Sequence, residues 1–218
     1  IDANPSQFEE EFILPLWQVN YHFNRSKTTI SLGTSDHGIN KNDPEIEASI
    51  SRELTDGTTL WASYAPKLSE FNSQIWQDPY LTGKQRKRTK TALEGVGLGA
   101  DYLLGSALSL AYRYGELSID NDDAGKSLSS RLTPTEIKQL QRGEERHHAL
   151  LSLTFPLTDN FFLIPGASYT LTNAEGSANN YSSEELNLTV AYQKDSFEAF
   201  VEGYLVDAKY DEPNPVFR

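Results

Sequence analysis

Five of the seven residues from 84 to 90 are cationic: Lys84, Arg86, Lys87, Arg88 and Lys90. The chain as a whole carries a formal charge of −12. A cationic run in an acidic protein suits phosphates, either those of lipopolysaccharide at a membrane surface or those of an anionic solute at a channel mouth. The plainer alternative is a hydrated loop. A second set of charges is Glu45, Glu47, Lys67, Asp101, Arg113, Glu185, Glu198 and Glu202, each on the polar side of an alternating segment. Where such sides line a pore, they set its ion preference; where the interior is filled, they pair across it. Acidic members outnumber basic ones, so an open channel would lean toward cations.

Other chemistry is weaker. His22, His37, His147 and His148 lack a HisXXXHis pair or a carboxylate at ligand spacing, and the last two point to opposite strand faces. AspAsnAspAsp at residues 120–123 resembles part of a calcium loop without its spaced ligands and closing Glu. AlaGlyLysSer at residues 124–127 mimics the end of a phosphate loop but lacks the upstream Gly. No nucleophile stands beside a His in a recognisable grouping. Neither an enzyme nor a bound metal or cofactor is therefore expected. The acidic balance also argues against nucleic acid as a partner.

The elements that carry these residues alternate. Residues 92–119 read as two strands joined at Gly105–Ser106. Val96, Leu98, Ala100, Tyr102 and Leu104 share one face of the first, while Gly95, Gly97, Gly99 and Asp101 share the other. Leu108, Leu110, Tyr112 and Tyr114 oppose Ser109, Ala111, Arg113 and Gly115 in the second. The same period recurs at residues 12–24, 28–34, 45–54, 58–68, 147–157, 161–171, 185–193 and 197–206, giving ten strand-like segments. Most are near the ~9–11 residues that a tilted strand needs to cross a bilayer. Their connections alternate without exception. Residues 25–27, 55–57, 105–106, 158–160 and 194–196 are tight turns, and residues 35–44, 69–91, 120–146 and 172–184 are long loops. An up-and-down barrel gathers the short turns at one rim and the long loops at the other, as outer-membrane barrels do.

Composition fits that reading. Apolar residues make up 38% of the 218, and aromatic residues 11%. No apolar run approaches the ~18 residues of a membrane helix. Cys is absent, so no disulfide or thiolate site forms. Met is absent too, even at position 1, so the chain reads as processed or trimmed, with any signal peptide missing. The first and last segments both meet the long-loop rim. A bacterial barrel normally starts and ends at the other rim, so one strand is expected before the chain and one after it, about twelve in all. Within the third long loop, Thr133, Pro134 and Glu136 predict a capped helix carrying Ile137 and Leu140 on one face.

TrpGlnAspProTyrLeuThrGly at residues 76–83, with Arg86 and Thr89, AlaGluGlySerAlaAsnAsnTyr at 174–181, and TyrAspGluProAsnProValPhe at 210–217 together resemble the DUF2860 family of Gram-negative bacteria. The resemblance implies an outer-membrane barrel and supplies no catalytic residues. The resulting expectation is an all-β, antiparallel, up-and-down transmembrane barrel as a single domain over residues 1–218, in contact with outer-membrane lipid and lipopolysaccharide. The leading function is passive passage of small solutes or ions. The alternatives are a plugged structural or adhesion barrel working through its outer loops, and an outer-membrane enzyme.

Overall fold

Along the strands of this protein the aliphatic face is the exposed one. On the strand 59–65, Leu60, Ala62 and Tyr64 are exposed while Thr59, Trp61 and Ser63 are half-buried. On the strand 181–194, Leu186, Leu188 and Val190 are exposed while Glu185, Asn187 and Thr189 are half-buried. A water-soluble sheet has the opposite pattern, because burying each such apolar side chain is worth about 1.5–3 kcal/mol. A membrane barrel has this one.

The computed structural model describes residues 17–35, 45–67, 74–195 and 197–217. The early part of the first expected strand and most of the first long loop lie outside these residues. The strands are β1 (Gln18–Phe23), β2 (Thr28–Ser35), β3 (Glu45–Glu53), β4 (Thr59–Ala65), β5 (Gln74–Trp76), β6 (Arg88–Asp101), β7 (Leu108–Ile119), β8 (Glu144–Leu153), β9 (Phe155–Pro156), β10 (Phe161–Ala174), β11 (Tyr181–Lys194) and β12 (Phe197–Tyr210). One short helix, α1 (Pro134–Lys138), sits between β7 and β8. The sheet runs β1-β2-β3-β4-β6-β7-β8-β10-β11-β12, with β5 added to β6 and β9 to β10. Every pairing is antiparallel, and almost every strand pairs with its neighbour in the chain. The sheet is open: no pairing joins β1 to β12 among the described residues.

The strands reach further toward the long-loop rim than the apolar alternation does. β6 starts at Arg88, β8 at Glu144 and β11 at Tyr181, and β10 ends at Ala174 and β12 at Tyr210. Backbone pairing continues there although the side chains turn polar. At the other rim β6 is shorter than expected. It stops at Asp101, and Tyr102 and Leu104 belong to a turn with φ of 53° each. The Leu104 amide donates to Thr58 Oγ1 at 2.8 Å, and Ser106 Oγ donates to the Leu103 carbonyl at 2.6 Å. These bonds hold a conformation that residues other than Gly seldom adopt.

The outward face has layers. Exposed Val96, Leu98, Leu110, Tyr112, Leu151 and Tyr169 belong to its apolar belt. At the belt's upper edge Tyr64 Oη donates to Glu94 at 2.6 Å, and the Tyr112 hydroxyl is hydrogen-bonded to His147 Nδ1 at 2.7 Å. There Glu94 stands opposite Glu116, and Glu116 opposite Glu145, on the same face as the belt.

The capped start of the helix is present as expected, but α1 ends at Lys138 and Leu140 follows it in a turn instead of sharing its face. Glu136 N donates to Thr133 Oγ1 at 3.3 Å, and Thr133 N donates back to Glu136 Oε2 at 2.8 Å. Thr133→Ala removes one half of this capping box and should destabilise α1 by about 1 kcal/mol. Faster hydrogen exchange at the Ile137 and Gln139 amides, with the strand amides unchanged, is the expected readout.

Candidate functional site: the inward wall and the loop cap

The inward wall centres on Arg113. Its guanidinium lies 5.3 Å from the Trp61 ring centroid and 3.4 Å from Glu47. Arg113 is on β7 and Glu47 on β3, with β6 and β4 between them. Glycines open that path. A Cβ on Gly99 would fall 2.5 Å from Trp61 Cε2, and one on Gly97 would fall 3.1 Å from Trp61 Cζ3. The missing side chains let the indole lie on the β6 backbone and let the arginine stretch across it. Gly97 and Gly99 thus serve an aromatic–cation–carboxylate bridge.

The other expected lining residues are spread along the wall. Glu202 accepts from Asn187 Nδ2 at 3.2 Å, and the Asn187 amide packs over Gly166. Glu185 is half-buried, opposite Ser168. Asp101 ends β6 at the short-turn rim. The Glu45 backbone pairs with Ser35 and that of Glu198 with Gln193; their side chains lie outside the described ones. Lys67 corrects the expectation: β4 ends at Ala65, so Lys67 is exposed in the following loop and not on the wall. The wall also holds two groups absent from the expected lining. Arg146 forms an ion pair with Glu144, and His148 Nδ1 is hydrogen-bonded to Thr170 Oγ1 at 3.0 Å. Both lie on the stretch of β8 where the polar face carries the charges.

Above the wall the long loops fold together. Ala124, Leu140 and Ala178 form a buried cluster with Tyr80, Leu132 and Val216 against it. These residues come from three loops and from the segment after β12. Asp78 accepts from the amides of Tyr80 at 3.0 Å, Gly125 at 3.1 Å and Ser127 at 2.8 Å. The AlaGlyLysSer turn therefore cradles the protein's own carboxylate. Gly125 is required there, because its φ is 81° and a Cβ would fall 2.5 Å from Leu140 Cδ1. Arg142 binds Asp122 Oδ1 through Nε at 3.0 Å and reaches the carbonyls of Trp76 at 2.9 Å and Gln77 at 3.2 Å. Asp123 accepts from Gln77 Nε2 at 2.6 Å and pairs with Lys126. The acidic stretch that resembles a calcium loop is thus engaged within the cap, and no group of metal-holding side chains occurs among the described residues. Glu212 accepts from Gln139 Nε2 at 3.0 Å and Ser177 Oγ at 2.8 Å, and Asn214 Nδ2 donates to the Tyr80 hydroxyl at 3.1 Å.

The three stretches around residues 76–83, 174–181 and 210–217 therefore meet in one cap. The family model for proteins of unknown function designated DUF2860 matches residues 1–218. The chain belongs to the DUF2860 family. No curated protein matches it. Among solved structures it is similar to OmpT, an outer membrane protein of Vibrio cholerae. Against the loop L8 deletion mutant the TM-score is 0.55 with 16% identity over 89% of this chain, and against the in-vitro folded protein it is 0.53 with 15% identity over 88%. The chain spans 58% and 53% of those two chains. The likeness shows the fold: an outer-membrane-type β-barrel wall, which this DUF2860 chain forms as an open antiparallel sheet.

Proposed function

We propose that this protein lines a passive outer-membrane channel for small solutes or ions, with a preference for cations, and that it is not an enzyme. The short-turn rim faces the periplasm and the capped rim faces outward. The observation that carries the reading is the inward wall, where Glu47, Glu185, Glu202 and Asp101 outnumber Arg113 and Arg146 on a surface otherwise rich in Ser, Thr and Gly. Fixed charges at close quarters select permeant ions by sign.

The test is single-channel recording of the full-length protein in a planar bilayer under a salt gradient. Stable steps with a reversal potential on the cation side are expected, and Glu202→Gln should move that potential toward zero. A folded but silent barrel rules the channel out. One observation favours a second reading, a closed barrel that works through its outer loops: the cap has its own packed core and cross-loop hydrogen bonds. Silence in the same recording supports it.

A further inference from the structure

The cationic run at residues 84–90 takes no part in the wall. Its five members separate into two roles. Arg86 is half-buried, donates from Nε to the Leu81 carbonyl at 2.8 Å and lies 5.7 Å from the Trp76 ring centroid. It shapes the loop from within. Lys84, Lys87, Arg88 and Lys90 are exposed. No ion pair engages Lys84, Lys87 or Lys90 among the described residues, although the chain carries 31 acidic residues against 19 basic ones.

Their placement is set by the hairpin of β5 and β6. Trp76 stands opposite Arg88 and Gln74 opposite Lys90, and the Gln77 amide donates to the Lys87 carbonyl at 2.9 Å. Arg88 and Lys90 therefore alternate in step with Val96 and Leu98 of the apolar belt, and they share its outward face. Lys90 is four residues up the strand from Glu94, which closes the belt. At ~3.3 Å per residue and a tilt of ~40°, that is roughly 10 Å above the belt's edge. A glycerophospholipid headgroup zone is only ~5–8 Å deep on each side of a bilayer. Cations at this height meet a thicker headgroup, such as a phosphorylated saccharide, and flexible lysine stems let them reach down into it.

We propose that the outward face of the β5–β6 hairpin at Arg88 and Lys90, together with the exposed Lys84 and Lys87 of the loop that joins its strands, is a docking surface for the phosphates of a glycolipid in the leaflet on the long-loop side. This rests on the outward placement of the capped rim and not on conduction: a silent barrel that holds the lipid leaves it standing, and a conducting barrel that does not hold it overturns it alone. Phosphates are held here by charge and by lysine and arginine donors.

The test uses the full-length protein in nanodiscs, with bisphosphorylated lipid A as the probe and its dephosphorylated form and inorganic pyrophosphate as comparisons. Retention of lipid A is expected to fall with rising salt. It should weaken on the order of a hundredfold in Lys84→Gln/Lys87→Gln/Lys90→Gln, about fivefold for each basic residue removed near an anionic surface. Heat-modifiable gel mobility reports the folding of the variant, and the dephosphorylated lipid tests the wild type without any substitution. Equal retention by wild type and variant overturns the proposal, as does equal binding of dephosphorylated lipid. Displacement by pyrophosphate at the concentration at which lipid A binds assigns the surface to a soluble anion and overturns the lipid.

Discussion

Arg142→Ala should unfasten the cap while leaving the strands in place. The substitution removes the guanidinium that joins Asp122 to the carbonyls of Trp76 and Gln77, and so weakens the junction of the second long loop with the third, leaving the bonds of Asp78 and Gln77 to hold it. The Asp122 side chain is only 8% exposed, and removing the guanidinium leaves its charge held only by the backbone amides of Ala124 and position 142, at a cost of about 3 kcal/mol. That exceeds what a cluster as small as Ala124, Leu140 and Ala178 can offset. Residues 120–143 should become protease-sensitive and their amides should exchange rapidly, with unchanged protection in β10 and β11. If the wall conducts beneath the cap, single-channel conductance should rise. Unchanged protease resistance of that loop would show that the cap is held by its other contacts.

Arg113→Ala should alter the wall in a different way. It removes the stacking on Trp61 and leaves Glu47 without its partner at 3.4 Å. Both charged side chains are about one-sixth exposed, so the loss should cost about 2 kcal/mol in urea unfolding from vesicles. If the wall conducts, the freed carboxylate should also make it more cation-selective, shifting the reversal potential further in that direction. Arg113→Ala/Glu47→Gln should restore much of the stability and bring the selectivity back toward wild type. A double variant no better than the single would mean that the arginine acts through Trp61 alone.

The strands could be read from sequence wherever lipid dictates the side chains. Leu186, Leu188 and Val190 alternate with Glu185, Asn187 and Thr189 because one face meets hydrocarbon and the other does not. Four residues earlier, at Tyr181, the backbone still pairs but no solvent contrast marks it, so the sequence reading stopped short. β5 was missed because three residues, Gln74–Trp76, show no period. Lys67 was placed on the wall by extending the alternation of β4 beyond Ala65, where pairing ends. The helix at Pro134–Lys138 was legible because capping is local chemistry. The cap was not, because its contacts join positions as distant as Tyr80 and Asn214, and nothing in the spacing of either segment announces the other. Arg142 had the same invisibility: its role depends on two loops meeting.

The outward layering also fixes how the protein fits its bilayer. The outward face of β10 is apolar from Phe161 to Leu171, with Asn173 next, and Glu145, Glu116 and Glu94 continue that polar level across the neighbouring strands. Ten residue steps of tilted strand give a hydrophobic thickness of roughly 25 Å. An average bilayer core is ~30 Å, and the bacterial outer membrane is thinner than average. Because three carboxylates close the upper edge of the belt, tilting cannot cheaply draw more of this wall into hydrocarbon. A thicker membrane must instead compress around it, at fractions of a kcal/mol per Å of mismatch. The row of glutamates therefore acts as a depth gauge, and it favours residence in the thinnest membrane the cell offers.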